Sequence, residues 1–219
     1  MDKLEITTGR LNRDVAEGGV TLIQISLQYP IIAGDGTGNP ALNHCFSQTA
    51  ENLVTTLSQE MLGEARAAAS ILPEALPYQL SGTFTTTYNV PGVFSFFTDI
   101  FLYAGGMRGI TYRYSNSFFT TDGKRPLFLT TLFPVSSDPA MLISEFIAQR
   151  QGLDRASIQA AFSPENVYLT ENGLAVFFHP GAMEPVAGGI PVFVIPYSES
   201  GPFPPSILAG NKKFAFVSP

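Results

Sequence analysis

The chain has 219 residues, of which 45% are hydrophobic and 14% are charged, so it can bury a core of ordinary size without disulfides or metals. Eighteen acidic side chains against twelve basic ones give a formal charge of −6, which argues against nucleic acid as a partner because phosphate binding needs clustered lysine and arginine. The same charge would steer a cationic partner towards the protein, or it serves solubility alone.

The N-terminal stretch MDKLEITTGRLNRD has no apolar run after its first charged residues. It therefore predicts neither a signal peptide nor a membrane anchor. The most apolar window, VFSFFTDIFLYAGG, contains Asp99 and is shorter than the ~18–20 apolar residues of a spanning helix. No transmembrane segment is expected, and with Cys45 as the single cysteine no internal disulfide can form.

The first regular element in chain order is a strand at residues 20–29, where apolar and polar side chains mostly alternate up to Pro30. The following stretch GDGTGNP lacks the Lys-Ser/Thr of a P-loop and the repeated acids of a calcium loop. Asn39 and Pro40 are instead typical of a helix N-cap and first turn. A long helix is predicted from Ala41 towards Pro73, since apolar residues recur there at spacings of three and four: Leu42, Phe46, Ala50, Leu53, Val54, Leu57 and Met61.

The rest of the chain is predicted to form blocks of strands and short helices. Three strands in an antiparallel meander are predicted at about 78–89, 93–103 and 109–121, followed by short helices at 138–150 and 154–161. Asn172-Gly173 predicts a type I′ hairpin between strands 166–170 and 174–178, and a last strand is predicted at about 190–196. Without regular βαβ alternation, the pattern predicts an α+β fold with a mainly antiparallel sheet packed by one long helix and one or two short ones.

The sequence shows no clear pattern of catalytic or metal-binding residues. His44 and His179 are too far apart in sequence for a standard metal-ligand spacing, and a Cys45–His179 dyad would place its thiol on a core helix. Scattered acids leave a carboxylate-dependent hydrolase open as an alternative: Asp99, Glu145, Glu171, Glu184 and Glu199. We predict no catalytic residue, no metal and no cofactor.

The loop GGMRG at residues 105–109 lacks the G-x-G-x-x-G spacing and precedes a strand, so no helix N-terminus is available there to hold a phosphate. It is predicted to be a turn between two strands. Two adjacent glycines indicate positive φ or a close backbone approach, which would present Met107 and Arg108 at a rigid tip.

Several separated motifs, in order, resemble the domain shared by the extracytoplasmic part of RsiV-type anti-sigma factors and the non-catalytic region of PdaC-type peptidoglycan deacetylases. They are YAGGMRG at 103–109, FTTDGK at 119–124, LTTLF at 129–133, NVYLTENGL at 166–174, and FVIPYSE at 193–199. The resemblance is clearest over residues 100–200. It implies that residues 1–99 are the N-terminal half, and residues 100–219 the C-terminal domain, of one compact unit.

The resemblance implies a non-catalytic, extracytoplasmic binding or sensing domain, because RsiV-like members bind lysozyme with this domain. The expected partner is a lysozyme-like protein or peptidoglycan. The implied contact residues lie in the glycine loop: Tyr103, Gly105, Gly106, Met107, Arg108 and Gly109. Asp122 and Gly123 match a tight turn of the family, and Pro196 and Tyr197 match a late strand end. A structural interaction protein without a small ligand is a further alternative.

Overall fold

The computed structural model describes residues 3–33, 40–120, 125–183, 189–198 and 201–205. The chain divides into two compact units. We call Glu5–Thr85 with Thr98–Arg113 the long-helix unit, and Met1–Leu4, Thr86–Phe97 and Tyr114–Pro219 the small-sheet unit. The division predicted at residues 99 and 100 stays a prediction.

The described residues form twelve regular elements and two short 3₁₀ turns at Pro73–Ala75 and Leu129–Leu132. In chain order the regular elements are β1 (Ile6–Glu17), β2 (Val20–Ile32), α1 (Pro40–Ile71), β3 (Tyr78–Val90), β4 (Val93–Tyr103), β5 (Ile110–Phe119), β6 (Arg125–Pro126), α2 (Pro139–Gln151), α3 (Arg155–Ala161), β7 (Val167–Leu169), β8 (Gly173–Phe177) and β9 (Val192–Pro196). The predicted α+β class is confirmed.

Strands β1 to β6 follow one another in a single sheet, and β7, β8 and β9 form a second one. β1 pairs antiparallel with β2, whereas β2 and β3 are parallel. This parallel pair was not predicted. It follows from the chain order, since α1 carries the chain back from the end of β2 to the start of β3.

The core of the long-helix unit lies between α1 and the sheet. In β2, buried Ile23, Ile25 and Leu27 alternate with exposed Gln24 and Ser26, so one face of the strand turns to the helix. Helix α1 has one buried apolar stripe, as its spacing predicted: Leu42, Phe46, Ala50, Val54, Leu57, Met61 and Ala65. The predicted Leu53 is half-buried.

Helices α2 and α3 and the second sheet contribute to the core of the small-sheet unit. The caps of both helices are acidic: Asp138 accepts from the amide of Met141, and Asp154 from that of Ser157. Buried apolar side chains from these elements pack together: Ile143, Ile147, Ile158, Leu169, Leu174, Val176, Phe178 and Ile195. Ser95, fully buried on β4, accepts a bond from the amide of Leu169 at 3.1 Å and so ties β7 to β4.

Two strands were not predicted. β1 is mostly exposed and polar, with Gly9 and Leu11 buried, so its hydrophobic alternation is too weak to read from sequence. β6 has only two residues. β2 also continues past Pro30, which pairs with Thr8, to Ile32.

The type I′ turn predicted at Asn172-Gly173 is wrong. Neither residue has the positive φ that this turn needs. Gly173 is instead the first residue of β8, and a Cβ on it would overlap the backbone carbonyl of Ile195 in β9. The glycine is required by the close approach of two strands rather than by turn geometry.

Candidate functional site

The glycine loop connects β4 to β5 in the long-helix unit, as predicted. Gly105 has a φ of 74°, and a Cβ on it would lie 2.8 Å from the Cβ of Ala75 and 3.2 Å from the ring of Tyr78. At Gly109 a Cβ would overlap the ring of Phe101. Gly105 and Gly109 therefore allow the base of the loop to pack closely against neighbouring residues.

Gly106 differs from its neighbours. It has no positive φ, and nothing lies within 4 Å of the position that a Cβ would occupy. The expectation of special backbone geometry thus holds at Gly105 and not at Gly106.

The tip of the loop is turned to solvent. Met107 is 101% exposed and Arg108 is exposed too, whereas Tyr103 is half-buried at the end of β4. A methionine gains nothing for the fold at such a position, because its apolar surface stays in water. The loop combines a packed base with two side chains that are available for contact.

Further exposed apolar residues lie on elements joined to this loop. The contact of Gly105 with Ala75 packs the loop on the 3₁₀ turn that follows α1, where Ile71 is 81% exposed and Leu72 is 48% exposed. Ile110, directly after the loop, is 48% exposed. We call Ile71, Leu72, Met107, Arg108 and Ile110 the tip surface.

The sequence predicted the exposed tip at Met107 and Arg108 but not the exposed end of α1. The available signal was the apolar pair Ile71-Leu72 after an alanine-rich turn and before Pro73, a place where a helix ends and its side chains reach solvent.

The acids considered for hydrolysis are not brought together by the described contacts. Asp99 is bound by Arg113 through two bonds of 2.7 Å, from Nε to Oδ1 and from Nη2 to Oδ2. Glu145 and Glu171 are exposed. Glu184 and Glu199 lie outside the described residues.

The histidines and the cysteine are placed on different elements. His44 and Cys45 lie in the first turns of α1, and His179 follows β8. Burial lowers the pKa of His179, whose ring lies between those of Tyr114 and Phe177 at centroid distances of 6.1 and 5.6 Å. Within residues 3–33, 40–120, 125–183, 189–198 and 201–205, no group of three or more potential metal-binding side chains occurs.

Of the other residues carried by the resemblance, Pro196 ends β9 and the hydroxyl of Tyr197 donates to the carbonyl of Thr170 at 2.9 Å. Burial raises the pKa of Tyr197, and Tyr88 raises it further. Tyr197 thus fixes the loop between β7 and β8. Asp122 and Gly123 lie outside the described residues.

None of the helices in the described part of the chain combines the length and the hydropathy needed to cross a membrane.

Two family models match consecutive parts of the chain. Residues 19–111 match the model described as Deacetylase PdaC, and residues 132–198 match the model described as a protein of unknown function, DUF3298. The chain is therefore similar to each of these families over a separate part of its length. Its glycine loop falls in the PdaC match, and β7, β8 and β9 fall in the DUF3298 match.

Solved structures of DUF3298 proteins share the fold. A member from Bacteroides fragilis NCTC 9343 aligns with a TM-score of 0.58 and 16% identity, covering 90% of this chain and 91% of that one. A member from Pseudomonas aeruginosa PAO1 aligns with a TM-score of 0.56 and 14% identity, covering 88% of this chain and 91% of that one. No curated protein matches the sequence.

Proposed function

We propose that the chain is a non-catalytic binding domain of the bacterial cell envelope, located outside the cytoplasm, which contacts a basic, cell-wall-active protein of the lysozyme type through the tip surface. The observation that carries this proposal is the full exposure of Met107 on a loop whose base is packed. A rigid support lowers the entropy lost on binding, because the contact residues are already in place.

The composition of the tip surface favours a protein partner. Methionine and arginine are enriched in protein interfaces, and exposed apolar side chains together with an arginine are typical of a contact patch. Ile71, Leu72 and Ile110 supply the apolar part, and Arg108 the charge.

The charge of the whole chain favours a basic partner. A net charge of −6 steers a cationic protein towards the domain over distances longer than any single contact. Arg108 opposes this attraction locally, so it acts in specificity and register rather than in steering.

The carboxylates favour binding over catalysis. Both carboxylate oxygens of Asp99 accept bonds from Arg113, so this side chain is engaged within the fold rather than presented to a substrate. Glu145 and Glu171 are exposed and lie on α2 and beside β8 respectively.

The test is a calorimetric titration of the domain with a chicken-type lysozyme. The parent should bind, and Met107→Ser and Ile71→Ser should each weaken binding by about fivefold or more, since important contact residues of an interface contribute more than ~1 kcal/mol. The matched control is Val135→Ser, because Val135 is 103% exposed in the small-sheet unit and belongs to no proposed surface.

The proposal fails if lysozyme does not bind the parent, or if both serine variants bind it as tightly as Val135→Ser does. Solubilised peptidoglycan fragments form a second arm. Binding of those fragments alone, unaffected by either serine variant, would contradict the assignment of a protein partner to the tip surface.

A further inference from the structure

A polar face lies on the long-helix unit, on the side of the sheet away from α1. Register places Asp14, Gln24 and Gln79 side by side across β1, β2 and β3. Two residues along the strands, Asn12, Ser26 and Ser81 form a second row. We call these six residues the polar grid.

All members of the polar grid point to the same face because side chains alternate along a strand. Ile25 and Leu80, which alternate with grid residues along β2 and β3, are buried and therefore lie on the opposite face of the sheet. Five of the six grid residues are exposed, and Ser81 is partly buried. In sheet geometry the columns are about 4.8 Å apart and the rows about 6.8 Å apart.

These side chains line a groove of about 620 Å³. The groove is shallow and open to solvent, so a ligand would lie along the strands rather than be enclosed. The groove is formed by three hydrogen-bonded strands, so its side chains are positioned by the sheet rather than by a loop.

Five of the six grid side chains are uncharged amides or hydroxyls. Amides and hydroxyls each offer both donors and acceptors, and only Asp14 carries a charge. The hydroxyl of Ser26 lies 2.9 Å from Oδ1 of Asn12, so the members are within bonding reach of one another. Arg13 borders the groove, but its guanidinium is bound to Glu51 and Thr55 of α1 at 3.2 Å.

Three classes of ligand fit this surface poorly. Protein interfaces need an apolar centre, which the grid lacks. Phosphate-rich polymers need clustered cations. An acidic polysaccharide would meet the carboxylate of Asp14. An array of amides and hydroxyls matches the donors and acceptors of a neutral molecule rich in hydroxyl groups.

We infer that the polar grid of β1, β2 and β3 is a binding site for a neutral oligosaccharide, held by hydrogen bonds to Asn12, Gln24 and Gln79. This site is independent of the tip surface and does not rest on the function proposed for it. The ligand would be an uncharged chain of hexose units, with or without acetamido groups.

The experiment is a titration of the isotope-labelled domain, followed by the backbone amide signals. The probes are cellotetraose, chitotetraose and a tetramer of galacturonic acid. Either neutral probe should shift the amides of residues 12–14, 24–26 and 79–81, and the acidic probe should bind at least tenfold more weakly. The two neutral arms distinguish plain from acetamido sugars.

A variant adds a second, independent readout. Gln24→Ala/Gln79→Ala removes two paired neighbours of the grid and should lower the affinity for the neutral probe at least tenfold. Gln59→Ala is the matched control, since Gln59 is an exposed glutamine on α1. Thermal unfolding of each variant shows that the fold is retained, and shift mapping on the parent needs no variant.

The inference is overturned if neither neutral probe binds at millimolar concentration or if the shifted amides lie away from the three strands. Equal affinity for the acidic probe, or unchanged affinity in the folded double variant, would overturn it as well. None of these results bears on lysozyme binding by the tip surface, so the two proposals fail separately.

Discussion

The ring of Phe101 occupies the space that a side chain on Gly109 would need. Phe101 lies on β4 and Gly109 precedes β5, so this contact closes the base of the glycine loop. Gly109→Ala should lower the free energy of unfolding by about 1–3 kcal/mol, because the added methyl overpacks against a ring. Urea unfolding measures the change.

Gly106→Ala in the same loop is the matched control for this prediction. Its Cβ would meet nothing within 4 Å, so the free energy of unfolding should stay within about 0.5 kcal/mol of the parent. Equal effects of the two alanines would contradict the packed base and the open tip.

Gly173 in the small-sheet unit should tolerate a side chain as poorly as Gly109 does. A Cβ there would overlap the backbone of Ile195, which cannot rotate away as a side chain can, so Gly173→Ala should lower the free energy of unfolding by about 1–3 kcal/mol. Gly63→Ala in α1 is the control, with open space around it and an expected gain of about 0.5–1 kcal/mol. A Gly173→Ala protein as stable as the parent would contradict the close approach of β8 and β9.

The Asp99–Arg113 pair should show strong coupling. Its side chains are 29% and 13% exposed, so removing Arg113 alone leaves a poorly hydrated carboxylate. Arg113→Met should therefore destabilise the fold by about 2 kcal/mol, and adding Asp99→Asn should restore part of the loss.

A double-mutant cycle measures this coupling. The comparison pair is Glu17–Arg66, also in the long-helix unit, whose side chains are 46% and 55% exposed. Its coupling should be the smaller of the two, because solvent screens exposed charges. Additive effects of the changes at Asp99 and Arg113 would show that their bidentate contact does not stabilise the protein.

His179 should make stability depend on pH. Because burial lowers its folded-state pKa below the usual ~6.5, the unfolded chain takes up a proton at higher pH than the folded chain does. The stability that it contributes is complete above about pH 6.5 and is lost as the pH falls through the lower folded-state pKa.

His179→Phe, which keeps an aromatic ring, should reduce the loss of stability between pH 7 and pH 5. Melting curves over that range test this, with His44→Gln on the exposed surface of α1 as control. If the parent and His179→Phe lose stability in parallel, His179 does not carry the effect.

Periodicity predicted most of the fold. The apolar stripe of α1, the strands β3, β4 and β5, and the capped helices α2 and α3 each carry a local signal that the sequence shows directly. β1 pairs with the adjacent β2 across Gly18-Gly19, and it was missed because its hydrophobic alternation is weak. The parallel pairing of β2 with β3 depends on contacts between residues that are distant in sequence. Local pattern does not encode those contacts.

The exposed tip of the candidate site could be predicted from sequence, because it is a local feature. The tip of the loop is a local feature, so the exposure of Met107 and Arg108 could be anticipated from the glycines around them. The role of Gly109 depends on Phe101 across the hairpin, and the contribution of Ile71 depends on how α1 ends. The contact of Gly109 with Phe101 cannot be read from adjacent residues, whereas Pro73 after Ile71-Leu72 is a local signal for the end of the helix.

The most direct test of a contact role for the loop is the affinity of Arg108→Glu for a chicken-type lysozyme at low salt. Exposed charge pairs contribute roughly 0.2–1 kcal/mol, so reversing this charge should tighten binding of a basic partner about 1.5- to 5-fold. The gain should shrink at high salt, and an acidic wall polymer should lose affinity instead. If Arg108→Glu and Arg108→Ala both bind every ligand as the parent does, the loop is only a turn and the contact surface lies elsewhere.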